Sequence, residues 1–313
     1  KKTKDFIIQR ELTFKAGDTI SDVNFHITQS QNNILNTSLF NFVIIKADTI
    51  FNTINVHIEL TERWYFWPYP IFEHADRNFA SFIKNKNWDM INYGFYIATY
   101  NFRGRKETLK IKARLGYKEQ FSFFYEIPFY NQKRTRGVAI NTSLFRQHEV
   151  IYGATGSKPA YFYDPEKFAQ QEFDFEAQHL YRPSHYTVFT ISAGFLKVTI
   201  PDTLARINCT YLGNGKTLMQ ELSASFKIAF DRRDSKTYPL NGKFLFGAVN
   251  QQINTNLNPI NTTLNGGLEW HKKQLRWIFS QQLSARYTIN NNNAYYKEKA
   301  LGYQSYIRGF EYY

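Results

Sequence analysis

One cysteine, Cys209, stands in 313 residues. It has no partner for an internal disulfide, and no multi-cysteine metal site can form. No stretch approaches the roughly 18 uncharged apolar residues that a membrane-spanning helix needs. That removes helical membrane proteins and leaves membrane barrels, whose strands are only half apolar. No signal peptide opens the chain at Lys1, which does not separate a mature, a truncated and a cytoplasmic chain. Enzyme signatures are missing too. Leu212–Thr217 ends like a phosphate loop, but Thr210 stands where the first glycine belongs. There is no G-x-S-x-G elbow. The seven histidines lack metal spacing: His179 and His185 flank a turn, and His148 is isolated. No catalytic residue, metal or cofactor is expected, and no motif supports nucleic-acid binding.

What the chain does have is aromatic residues and positive charge. Phe, Tyr and Trp make up 18% of it, and 39 Lys and Arg against 26 Asp and Glu give a formal charge of +13. The charge suits anionic lipid headgroups or lipopolysaccharide at a membrane rim. Mean hydropathy is −0.48, which resembles a soluble protein. Charged residues at 21% argue against a disordered tail.

Residues 1–62 read differently from the rest. Asp5–Leu12 and Ile20–Phe40 carry helical spacing; Val23, Ile27, Ile34 and Leu35 share a face, and Thr19, Ser21 and Asp22 suit a helix start. Phe42–Ala47 and Ile54–Leu60 then alternate as strands. This is an α-α-β-β unit too small for a generous core.

From Trp64 onward, period-two alternation takes over. Leu109, Ile111, Ala113, Leu115 and Tyr117 fall on one face, and Thr108, Lys110, Lys112, Arg114 and Gly116 on the other. Phe173 and Phe175 alternate with Glu172, Asp174 and Glu176 in the same way. Eleven strands are expected: 64–73, 91–102, 107–117, 121–129, 137–152, 171–182, 185–198, 218–231, 242–253, 264–272 and 275–289. Short turns alternate with longer loops (74–90, 153–170, 199–217, 254–263), as in outer-membrane barrels; the third and fourth strands break the rule, with only Lys118–Gln120 between them. The strands reach about 9 to 14 residues, long enough to cross a bilayer when tilted. Trp64, Tyr65, Trp67, Trp277, Tyr181 and Tyr186 gather near strand ends, as interfacial girdles require. A large soluble β fold is the alternative. Lys110, Lys112 and Arg114 would face the lumen and pair there with Glu172, Asp174 and Glu176.

Four passages then carry a family likeness. They are Lys2–Ile8 with Leu12–Asp18; Thr61–Pro68 followed by Ala75–Phe79; Asp231, Arg232, Arg233 and Asp234 followed by Tyr238, Pro239, Leu240, Asn241 and Gly242; and Ile307, Arg308, Gly309 and Phe310. Together, in this order, they resemble the BamA/TamA outer-membrane assembly barrels in the short version common in Bacteroidota. The resemblance implies a mainly β chain: a transmembrane antiparallel β-barrel, residues 63–313, preceded by a small α+β POTRA domain, residues 1–62, without its first strand. Sixteen strands are implied and about eleven are present, with Arg308-Gly309-Phe310 on the long inward loop after the eleventh. Strands twelve to sixteen are missing from this sequence, and a native mass above 37 kDa is expected. Asp231, Arg232, Asp234, Pro239 and Gly242 would be the family motif at a periplasmic turn.

The implied activity is assisted insertion and folding of β-barrel proteins through a lateral seam. Trp64, Tyr65, Phe66, Trp67, Pro68 and Pro70 would form the first, seam-lining strand, weakened because proline cannot donate to a ladder. A client strand would add to the open edge. Arg308 would pin the inward loop to a lumen carboxylate, with Gly309 turning the backbone and Phe310 wedged on the wall. The alternatives are a polypeptide or lipid secretion or transport pore of the same superfamily, and a structural subunit of an envelope complex. A plugged lumen and an openable seam favour insertion. The implied partners are unfolded barrel clients, outer-membrane lipids, and accessory lipoproteins or periplasmic chaperones. The implied location is the outer membrane of a Gram-negative bacterium, with the POTRA domain in the periplasm.

Overall fold

A computed structural model describes residues 2–51, 53–74, 90–155, 158–255, 260–289 and 294–297. Two helices open it, α1 (Asp5–Glu11) and α2 (Val23–Leu35), followed by a hairpin of β1 (Phe40–Ile50) and β2 (Thr53–Glu62). The expected second helix is trimmed at both ends. The Asp22 carboxylate caps it by accepting from Phe25 N at 2.9 Å. At the other end, Thr37 Oγ1 donates to Ile34 O at 2.6 Å and Ser38 turns left-handed at φ 62°. The helices pack on the hairpin through Ile7, Ile8, Ile34, Val43 and Ile45. That core also takes in Tyr65, just before β3, and Phe129, just after β6, so the small unit does not close on itself.

The rest of the described chain is dominated by one antiparallel sheet. Its strands are β3 (Phe66–His74), β4 (Ile91–Phe102), β5 (Glu107–Gly116), β6 (Lys118–Ile127), β7 (Arg136–Gln147), β10 (Gln170–Tyr181), β11 (Thr187–Thr199), β12 (Leu218–Asp231), β13 (Gly242–Asn254), β14 (Ile260–Gln274) and β15 (Trp277–Ile289). They lie side by side in chain order, eleven in all, with β3 and β15 as free edges. Among the described residues the sheet is therefore open. Its strand count is the one the alternation predicts.

One expected strand is corrected. The 137–152 run divides at His148, whose Nδ1 meets Asp164 O at 2.9 Å and Lys167 O at 3.1 Å. Past this corner, β8 (Glu149–Thr155) leaves the sheet and pairs with β9 (Lys158–Tyr163). Alternation continues through the corner because β8 is still a strand; only its partner changes. The 199–217 loop likewise contains a short helix, α3 (Asp202–Ile207).

Burial along the sheet is inside-out. Phe175, Ile191, Leu222, Phe226, Val249 and Leu264 are exposed, while Ser192 and Glu221 on the other face are 7% and 2% exposed. A sheet in water would bury the first set and wet the second. The pattern fits a sheet whose outer face meets hydrocarbon and whose polar face is enclosed. Among the described residues no helix is long and apolar enough to cross a membrane.

Candidate functional site

The free edge of β3 is built from its pairing with β4. Tyr100 N donates to Tyr65 O at 2.8 Å. Hydrogen-bonded pairs alternate along an antiparallel ladder, and Phe66 lies opposite Thr99, Pro68 opposite Ile97 and Pro70 opposite Phe95. Residues 65, 67, 69, 71 and 73 therefore bond to β4. The backbone groups of Phe66, Pro68, Pro70 and Phe72 point to the open edge. Both prolines thus occupy positions where the missing N–H costs β4 nothing. The edge offers their carbonyls as acceptors and no donor at either.

The same register sorts the side chains. Tyr69, Tyr96 and Lys112 lie on one row, and Trp67, Ala98, Lys110 and Phe124 on another. All face the polar side. Trp67 stacks on Tyr69 at 6.2 Å and Tyr69 on Tyr96 at 5.7 Å. Lys110 Nζ sits 5.3 Å from the Phe124 ring. Below this ladder a cavity of about 380 Å³ opens among Arg63, Trp64, Tyr65, Tyr100, Lys106 and Glu126.

These facts correct several expected roles. The strand begins at Phe66, so Trp64 and Tyr65 precede it. Tyr65 is buried, and its hydroxyl donates to Leu39 O at 2.8 Å; it fastens the small unit to the sheet. Trp67 and Tyr186 point to the polar side, whereas Trp277 and Tyr181 lie on the apolar face. The charge pairing is also different. Arg114 and Glu172 do share one row, but β6 and β7 lie between their strands. Three strand spacings are about 14 Å. Arg114 instead meets Glu73, at 3.5 Å.

The loop end of the sheet's polar face is covered. Val198 and Met219 from the polar face pack with Val150 of β8, Leu204 and Ala205 of α3, and Tyr211 and Leu212 of the loop. The segment 294–297 folds onto this plug. Tyr295 N donates to Thr210 O and Tyr296 N to Tyr211 O, both at 3.0 Å. Lys297 pairs with the buried Glu221 of β12. After edge strand β15 the chain therefore returns inward across three strands. Arg308, Gly309 and Phe310 lie outside the described residues, as does the Ala75–Phe79 passage.

At the other end, the small unit docks on the short turns. Lys4 N donates to Gly104 O at 2.8 Å. Gly104 has φ +73°, and a Cβ there would strike the Lys2 carbonyl. Arg10 Nε donates to Arg134 O at 2.7 Å, and His185 Nε2 meets Arg10 O at 2.8 Å. The centre of the joint is Glu11, 1% exposed, which accepts from both ends of the Arg182 guanidinium at 2.7 and 2.9 Å. Burial by itself would raise this carboxyl; Arg182, Lys106 and Arg10 outweigh burial and hold it down at about 2.

The 231–242 passage forms the turn beside this joint. Asp231 accepts from Arg233 Nε at 2.8 Å and Nη2 at 2.9 Å, and Arg233 Nη1 reaches Glu269 at 2.7 Å. Asp234 accepts from the backbone of Ser235, Leu240 and Asn241 and so ties the turn shut around Pro239. Arg232 lies over the Tyr186 ring at 5.2 Å. Gly242 has φ +119°, where a side chain would hit Arg232 O. Asn36 of the small unit bonds this turn twice, to Asp234 O and from Lys236 N. The sequence reading names Arg233 only as part of the motif, without a role, and passes over Glu11 and Arg182. A signal for Glu11 exists: it lies four residues after Ile7, on the apolar face of α1. Among the described residues no three His, Cys, Asp or Glu side chains form a metal set.

No family model and no curated protein matches the chain. Among solved structures, the chain is similar to BamA from Haemophilus ducreyi lacking POTRA domains 1–3, with TM-score 0.49 and 12% identity, covering 96% of this chain and 56% of that one. It is also similar to CdiB from Acinetobacter baumannii, with TM-score 0.45 and 12% identity, covering 99% of this chain and 55% of that one. The chain thus spans little more than half the length of either structure.

Proposed function

We propose that this chain is part of an outer-membrane assembly factor of the BamA/TamA kind, which helps other barrel proteins insert and fold through a lateral seam. Residues 1–62 serve as its POTRA domain in the periplasm of a Gram-negative bacterium, in the short Bacteroidota form. The observation that carries this reading is the open edge of β3, where Pro68 and Pro70 present carbonyls without amides. A strand closing against this edge forgoes two donors, each worth about 1 kcal/mol. The seam is therefore weakest where a client must add its strand by β-augmentation. The plug around Tyr211 and Met219 and the small unit over the turns support insertion over passage of a polypeptide through the lumen. In this reading Arg308, Gly309 and Phe310 have the role of pinning the inward loop; the Lys297–Glu221 pair supports a chain that turns to the polar face before them. Clients are unfolded barrel proteins; accessory lipoproteins or periplasmic chaperones deliver them, and the basic rim meets anionic lipid.

The test uses the full-length protein in liposomes with an unfolded barrel client. Client folding faster than in empty liposomes, slowed by Pro68→Val with Pro70→Val and by Arg308→Ala, is the expected result. No acceleration, with ion conductance instead, overturns the proposal in favour of a secretion or transport pore.

A further inference from the structure

The joint between the small unit and the turns contains a cavity of about 20 Å³, lined by Glu11, Lys106, Arg182, Asp231, Arg233 and Lys236. Four cations face two carboxylates. Both carboxylates are already taken in two-point contacts: Glu11 by Arg182 and Asp231 by Arg233. The two lysines are left over. Among the described residues neither ammonium donates a hydrogen bond or joins an ion pair; only their backbone amides are bonded, to Asn101 and Asn36. The neutral groups around the cavity are committed elsewhere: Asn33 to Glu11 O, Thr37 to Ile34 O, and His185 to Arg10 O.

Two ammonium groups in a partly buried space need a counter-charge. Glu126 lies near Lys106 but makes no ion pair with it. Burial, together with the Arg182 and Lys236 charges, holds the Lys106 ammonium down at about 8 against the pull of Glu11. Burial, with the Arg182 and Arg233 charges, lowers Lys236 as well against the pull of Asp231 and Glu11, although the residue is exposed on the turn. A cavity of this volume takes one water-sized species.

We infer that this cavity binds one monatomic halide anion, chloride under ordinary conditions, held between Lys106 and Lys236. The two lysines come from different turns of the sheet, and α1 and α2 lie over them. The anion would therefore bolt the two turns together beneath the small unit and tighten its docking. It is a structural anion, and it is independent of whether the barrel inserts clients or secretes.

The full chain is crystallised, soaked in bromide and measured at the bromine absorption edge. In parallel, its thermal unfolding is followed in chloride and in gluconate at equal ionic strength. A bromine peak between Lys106 and Lys236, with a higher melting temperature in chloride, is expected. Lys236→Met, on an exposed turn where folding tolerates the change, should lose the peak and the chloride advantage. Its halide affinity should fall by roughly tenfold or more, the equivalent of about 1.4 kcal/mol. No bromine at this position, or a chloride advantage that survives Lys236→Met, overturns the inference. A Lys236→Met chain that melts higher in both salts also overturns it, because the lysine is then neutral and merely strained.

Discussion

Glu11→Gln is the sharpest perturbation of the joint between the small unit and the sheet. It leaves the Arg182 and Arg10 guanidiniums facing an amide inside a buried contact. Removing one partner of a buried ion pair costs about 3–5 kcal/mol. The titration gives a second figure. The carboxyl lies at about 2 in the folded chain against 4.5 when free. Its folded pKa is depressed, so the contribution is complete above about 4.5 and is lost as pH falls towards 2. The shift corresponds to ~3 kcal/mol at neutral pH. The two figures agree. Native-state hydrogen exchange of the α1 amides reads this local stability directly. Exchange in Glu11→Gln should quicken on the order of a hundredfold at pH 7. Wild-type protection should fall between pH 4.5 and 3, while the variant stays flat. Glu11→Leu combined with Arg182→Met should recover much of the loss, because an apolar pair removes the stranded charge. A loss below about 1 kcal/mol, or the same pH profile in both chains, would refute the assignment of Glu11 as the centre of the joint.

Three further outcomes follow from the same geometry. Leu222→Arg, on the outer face of β12, should destabilise the chain in lipid vesicles by about 2–4 kcal/mol; Ser223→Arg, one residue on and facing the lumen, should cost much less, and equal costs would reverse the assignment of faces. Lys297→Met strands Glu221 at 2% exposure, so protease cutting within 294–297 should rise and thermal stability should fall by about 3 kcal/mol. Gly104→Val forces a β-branched residue into φ +73° against the Lys2 carbonyl; calorimetry should show a loss of roughly 1–3 kcal/mol, and an unchanged melting temperature would remove Gly104 from the docking contact.

The seam was partly legible. Two prolines in an alternating run suit an edge strand; the reading of 64–73 as the first strand rests on its place directly after the small unit, as the family likeness implies. The sequence does not say which edge their missing amides face. Only the pairing of Tyr65 with Tyr100 decides it. Tyr65 was assigned to the seam for its place in the run, yet it lies in the core of the small unit. An aromatic residue at a strand end reads the same whether it meets lipid, lumen or a neighbouring domain. Arg308 stays a matter of family likeness.

The alternation by itself determined the eleven strands, their order along the chain and the two chemically opposed faces, because the period of two is a local property of the pleated backbone. A strand's partner is not local. Tertiary structure alone took β8 out of the sheet at His148, set Arg114 and Glu172 three strands apart on one face, and brought Glu11 to Arg182 over 171 residues of chain. Those contacts join segments that share no periodic signal; only the closing of the small unit onto the turns puts their charges within reach of each other.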